Sequence, residues 1–279
     1  MTKIITGLRE IAPGYDALVC DVWGVLHNGD KAFAPACAAL KTFKDNHGPV
    51  ILLTNAPRPV KEVEALFVNK YGVPLDCYDT IVTSGAATRD DLKARTKSGR
   101  LSMLHLGPER DRGIFEGLDI ETVDVEKAQI VLCSGLYDDN TETPADYAPL
   151  LAKMKAQGLA MICANPDRMV QRGAEMIYCA GAIANEYEKI GGEVIYYGKP
   201  KTAIYDYVRA AMKGAKKPLA IGDGMHTDIK GANDAGIEAL FIADGVHGED
   251  VAELTERHLA ELFAKAGVHA AGAMRALVW

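Results

Sequence analysis

Residues 17–30 read Ala-Leu-Val-Cys-Asp-Val-Trp-Gly-Val-Leu-His-Asn-Gly-Asp. The apolar run Ala17 to Cys20 ends in an acid, Asp21, and then breaks into a glycine loop closed by Asn28-Gly29. A short apolar run bounded by turn residues predicts a buried strand, and open α/β sheets hold their ligands at the carboxyl ends of their strands. Position alone therefore places Asp21 for chemistry.

Outward from this stretch, apolar runs alternate with helical patterns. Pro35 opens a helix (Ala36, Leu40, Phe43) that stops at His47-Gly48-Pro49, and strands follow at Val50 to Leu53 and Thr80 to Thr83, with a helix over Val60 to Tyr71 between them. This rhythm predicts an α/β fold with a doubly wound, Rossmann-like parallel sheet. It restarts after Ser84-Gly85 with strands at Leu101 to Leu106, Ile130 to Cys133, Leu159 to Cys163 and Val194 to Tyr197, and helices at Ala145 to Gln157 and Cys179 to Ile190. It resumes again with a strand at Pro218 to Ile221, a helix from Thr227 to Ala235, a strand at Ala239 to Ile242 and two amphipathic carboxyl-terminal stretches. Residues 86–195 read as an inserted α/β domain, and 1–85 with 196–279 as a discontinuous core. The polar stretch from Gly245 to Arg257 reads as a solvated loop and helix face.

The chain has 279 residues, a net charge of -7, 48% hydrophobic and 25% charged residues. An acidic balance argues against bulk binding of nucleic acid or of an anionic membrane, both of which need clustered Lys and Arg, but leaves small phosphorylated metabolites open. No apolar run approaches the roughly 18 residues of a spanning helix, and the amino terminus lacks the apolar core of a signal peptide, so a cytoplasmic location is expected. The six cysteines are scattered without metal-ligand spacing and read as buried, reduced thiols.

Reactive groups fall at four strand or loop ends: Asp21, Thr54-Asn55, Lys199, and Asp223 with Asp228. Singly, each has a structural reading as a turn former, a helix cap or a solvated side chain. Together they match what phosphate-ester chemistry needs. A carboxylate nucleophile approaching an anionic phosphoryl group requires a divalent cation and fixed positive charge nearby. Asp21 and Asp223 suit magnesium, which prefers oxygen ligands, while Thr54, the Asn55 amide and the Lys199 ammonium can neutralise the rest. Gly198-Lys199-Pro200 lacks the upstream glycine spacing and the Ser or Thr of a Walker A loop, and no serine-hydrolase elbow is present.

These motifs resemble the haloacid dehalogenase superfamily, and within it the class IIA branch of phosphatases acting on nucleotides, sugar phosphates and pyridoxal phosphate. Asp21-Val22-Trp23-Gly24-Val25-Leu26 is similar to the first motif, Leu53-Thr54-Asn55 to the second, Gly198-Lys199-Pro200 to the third, and Gly222-Asp223 through Thr227-Asp228 to the fourth. The inserted domain lies where this class carries its cap. The resemblance implies that Asp21 is the nucleophile and forms an aspartyl-phosphate, that Thr54 and Asn55 bind phosphate, and that Lys199 holds nucleophile and phosphoryl oxygens together. It further implies magnesium (Mg2+) held by Asp21, Asp223 and the Trp23 carbonyl, with Asp228 supporting the metal's water shell. A homodimer is also compatible, since cap-to-cap dimers occur among relatives.

The pattern departs at Trp23, where the family's phosphatases carry a second aspartate as general acid and base. Such help is worth about 10² to 10⁴ in rate, and an indole N–H is too weak an acid to supply it. Three readings remain open: another group such as His27 moves the protons, the substrate has a good leaving group, or the site binds a phosphorylated ligand with little or no turnover. Attack by Asp21 on carbon, as in dehalogenases with an aromatic residue here, fits poorly with the metal-suited Asp223 and Asp228. Within the inserted domain, Asn165-Pro166-Asp167-Arg168 follows a strand, so Asn165, Asp167 and Arg168 are candidates for substrate specificity.

Overall fold

A computed structural model of the chain describes residues 2–172, 175–245 and 254–279. Its strands are β1 (Lys3–Ile4), β2 (Ala17–Cys20), β3 (Val50–Thr54), β4 (Thr80–Thr83), β5 (Leu101–Leu106), β6 (Ile120–Thr122), β7 (Ile130–Cys133), β8 (Met161–Cys163), β9 (Met169–Arg172), β10 (Glu175–Tyr178), β11 (Val194–Tyr196), β12 (Pro218–Gly222), β13 (Glu238–Ile242) and β14 (Gly272–Met274). Seven of them form a parallel sheet in the order β1-β14-β13-β12-β2-β3-β4. Alternate residues pack into two apolar layers: Leu18, Cys20, Leu52, Leu219 and Ile221 face one core cluster, and Val19, Ile51, Leu53 and Ala220 face the other. Burial on both faces explains why these strands read as continuous apolar runs rather than alternating ones.

From β2 the chain winds through β3 and β4 on one side, and later through β12, β13 and β14 on the other. The strand order therefore reverses between β2 and β12, which is where open α/β sheets leave a crevice at their carboxyl ends. The register pairs Cys20 with Leu52 and with Ile221, so Asp21, Thr54 and Asp223 all emerge at that one edge. The doubly wound α/β expectation holds.

A second parallel sheet, β11-β8-β7-β5-β6, lies between Leu101 and Tyr196, with the antiparallel hairpin β9–β10 beside it. Its helices include α4 (Ala148–Ala156) and α5 (Ala180–Lys189), numbered after α1 (Ala34–Asn46), α2 (Val60–Leu66) and α3 (Ser84–Arg95), and followed by α6 (Ala203–Ala211), α7 (Lys230–Asp234) and α8 (Glu256–Ala266). Tyr187 of α5 is fully buried and its hydroxyl donates to the Leu159 carbonyl at 2.6 Å, which satisfies the one polar atom it carries into the core.

Several elements differ from the sequence expectation. The second amphipathic carboxyl-terminal stretch is the strand β14, wedged between β1 and β13, because Ala273 and Met274 are buried in the sheet core. The hairpin β9–β10 and the short β6 carry mixed, partly exposed residues with no clean period, and their patterns did not announce strands. Of the polar stretch 245–257, residues 246–253 lie outside the described residues; Thr255 then caps α8 by accepting from His258 N–H. All six cysteines are free and buried. Among the described residues no helix is long and apolar enough to cross a membrane.

Candidate active site

Asp21 stands one residue past β2, with its backbone N–H donating to the Ile221 carbonyl at 2.8 Å. Gly24 follows in the left-handed region at φ 86°, and a Cβ there would stand 2.1 Å from an Asp223 oxygen, so the loop can close over Asp223 only with glycine. Asp21, Asp223 and Asp228 are all buried, and one oxygen from each lies within 4.8 Å of the others. Three hard oxygen donors converging in a buried place fit a small divalent cation such as magnesium.

The Lys199 ammonium binds both Asp21 Oδ1 and Asp228 Oδ1, the latter at 2.6 Å, and donates to the Leu53 carbonyl at 3.1 Å. Burial alone would lower its pKa, but Asp21 and Asp228 raise it well above the ordinary lysine value, so the ammonium stays charged. Burial and the Asp228 carboxylate push the Asp21 carboxyl well above the ordinary range, and Lys199 offsets only part of this. Three carboxylates facing one ammonium are short of positive charge, which a divalent cation would supply. Asp228 Oδ2 also accepts from Gly224 N–H at 2.9 Å, fixing the fourth motif's turn.

Asn55 ties the second motif to the third. Its Oδ1 accepts from Lys199 N–H at 2.8 Å, and its Nδ2 donates to the Lys199 carbonyl at 3.2 Å and to Asp167 Oδ1 at 2.9 Å. Thr54, also buried, accepts from Ala56 N–H at 3.2 Å. Asp21, Thr54, Asn55, Lys199, Asp223, Asp228 and Trp23 all line one small pocket, together with Asp167 and Val170 from the segment that follows β8.

A larger cavity of about 470 Å³ adjoins it. Trp23, Thr54, Asp167 and Val170 line both spaces, so they mark the passage from the small pocket to the room beyond. Asp167 is half-buried there, and burial raises its carboxyl above the ordinary range. Asn165 shapes this loop, its Oδ1 accepting from Asp167 N–H at 3.1 Å.

Arg168 and His27 stand apart from the residues above, although His27 still lines the larger cavity beside Trp23. Arg168 is exposed, donates to Asn185 at 3.1 Å and lines neither space. His27 is 2% exposed, stacks on Tyr71 with ring centroids 4.2 Å apart and meets Trp23 edge-on at 5.1 Å. Its Nδ1 accepts from Gly29 N–H at 3.0 Å, and burial, helped by Lys70, lowers its pKa to about 4. A neutral imidazole held this way positions the Trp23 loop and has no acidic proton to give near pH 7. Residues not anticipated from sequence line the larger cavity: Arg58, Arg110, Asp111, Asp139 and Arg172. They come from separate segments and show no local pattern; Arg58 alone follows a motif closely.

A parallel sheet with Asp21 at its switch point, a lysine bridging two of three clustered acids and a second parallel sheet between β4 and β12 in the chain are the features of a hydrolase of α/β fold with a carboxylate-rich site. A family model of haloacid dehalogenase-like hydrolases matches residues 18–121, and a HAD-hydrolase-like model matches residues 196–266. A haloacid dehalogenase-like hydrolase from Brucella suis 1330 is 42% identical, with 99% of this chain and 100% of that one covered and a TM-score of 0.87. The chain belongs to the haloacid dehalogenase-like hydrolases, in their NagD-like class IIA branch. It is also similar to ribonucleotide monophosphatase NagD of Escherichia coli (strain K12), 26% identical over 84% of this chain and 89% of that protein. 5'-Nucleotidase YutF of Bacillus subtilis (strain 168) is 24% identical over 83% and 88%.

Proposed function

We propose that this protein is a cytoplasmic, magnesium-dependent phosphatase of a small phosphorylated metabolite, working through an aspartyl-phosphate at Asp21 with residues 86–195 as its cap. The observation that carries the reading is the Lys199 ammonium bound to both Asp21 and Asp228 beside Asp223. The reaction class, hydrolysis of a phosphoric monoester, is supported by the names of its relatives, a ribonucleotide monophosphatase and a 5'-nucleotidase.

Asp21, Asp223, Asp228 and the Trp23 carbonyl would hold magnesium, which supplies positive charge against the phosphoryl oxygens when bound. The Thr54 hydroxyl and the Asn55 N–H donate to those oxygens, and Lys199, together with the positive charge that magnesium would add, favours the ionised form of Asp21 and aims it. An Asp21 oxygen attacks phosphorus as the bond to the leaving oxygen breaks. In place of the aspartate missing at Trp23, the Asp167 carboxyl gives its proton to that leaving oxygen. Water then attacks the aspartyl-phosphate, its proton passes to the Asp167 carboxylate, and phosphate leaves with Asp21 restored.

Phosphate release measured with magnesium on aryl, acyl and alkyl phosphates tests this reading. Turnover is expected on at least one class, and Asp21→Asn abolishes it; turnover that survives the substitution contradicts the assignment. Magnesium-dependent binding of phosphate esters without turnover would instead identify a binding protein that kept the pocket.

A further inference from the structure

The cavity beyond the phosphoryl site carries more positive charge than a monophosphate ester uses. Four cations, Arg58, Lys70, Arg110 and Arg172, line it against two acids, Asp111 and Asp139, away from the nucleophile. Asp167 at the passage, even when ionised, still leaves one cation in excess, in a chain whose net charge is -7.

The arrangement is built rather than scattered. Asp139 lies beneath two guanidiniums, accepting from Arg172 at 2.6 Å and from Arg110, with its side chain 8% exposed against 37% and 48% for theirs. Arg172 is also held by Asn140 at 3.2 Å. Arg58 pairs with Asp111 at 3.2 Å. All three guanidiniums line the cavity together with Tyr71, and their charges partly oppose the burial that raises the Tyr71 phenol above its ordinary value. A guanidinium has five N–H donors, and the contacts of Arg110 and Arg172 with Asp139 and Asn140 use only part of that set. One carboxylate between two pinned guanidiniums leaves a preorganised cationic fork open to the cavity, the geometry suited to a second carboxylate or phosphate.

We infer that the Arg110–Asp139–Arg172 cluster is a second anion subsite, and that the preferred substrate is a phosphate monoester bearing a further carboxylate or phosphate on its leaving-group portion. This rests on the phosphatase reading for what happens at Asp21, but the subsite is testable by binding alone. Titration calorimetry on Asp21→Asn protein with magnesium compares matched ligands: fructose 6-phosphate with fructose 1,6-bisphosphate, and glycerol 3-phosphate with 3-phosphoglycerate. One member of at least one pair, the doubly anionic one, is expected to bind more tightly, and the pair that shows it separates a phosphate from a carboxylate. Arg172→Gln and Arg110→Gln each weaken that ligand by about tenfold while changing the singly anionic partner less than about twofold, and Arg172→Lys retains part of the preference. No preference in either pair, or equal loss for both members of a pair in the variants, overturns the inference. Failure of turnover with the preference intact would count against the phosphatase reading alone.

Discussion

At the residue scale, Trp23 and His27 decide what the first motif can do. Trp23 occupies the passage between the two spaces, and its indole lies so close to Gly29 (φ 83°) that a Cβ there would stand 2.5 Å from the ring. His27 supports that indole as a neutral ring. Its pKa of about 4, against an ordinary value near 6.5, ties it to folding. The unfolded chain takes up this proton near pH 6.5 and the folded chain only near pH 4. The stability His27 contributes is therefore present above pH 6.5 and lost as pH falls toward 4, by about 3 kcal/mol over the window. Urea unfolding at pH 7 and pH 4.5 is expected to show a smaller acid-induced loss in His27→Phe than in the wild type; equal losses would mean His27 is protonated normally in the fold. The sequence marked Asp21, Lys199, Asp223 and Asp228 because each sits at a fixed offset from a strand or loop end. It could not assign His27, because burial among Trp23, Phe67 and Tyr71 depends on segments more than 35 residues apart.

At the scale of elements, the loop 165–168 after β8 brings the second sheet's segment to the carboxyl edge of the first. The Asn55–Asp167 hydrogen bond joins the loop after β3 to the loop after β8 across 112 positions of sequence. If Asp167 supplies the leaving group's proton, Asp167→Asn should cost alkyl phosphates about 10² to 10⁴ in kcat and nitrophenyl phosphate far less, since a good leaving group departs without an acid. Equal losses on both would reduce Asp167 to a positioning residue. The loop was visible in sequence as a turn after a strand, but not which of its side chains faces inward: Asp167 does and Arg168 does not. Long apolar strands such as β3 and β12 were legible because burial on both faces leaves an unbroken apolar run. The hairpin β9–β10 was not, since its residues answer to the cavity below them rather than to a sheet core.

At the scale of the whole molecule, the switch point between β2 and β12 converts a linear spacing of motifs into one buried site, where three clustered carboxylates, Asp21, Asp223 and Asp228, stand beside a single ammonium bound to two of them. That imbalance predisposes the site to take a divalent cation and an anionic phosphoryl group together. The most direct test is capture of beryllium fluoride, followed by fluorine NMR, with and without magnesium. Tight binding of one equivalent that requires magnesium and is abolished by Asp21→Asn is expected. Absence of capture, or capture indifferent to magnesium or to the Asp21 substitution, would contradict a site organised for phosphoryl transfer to Asp21.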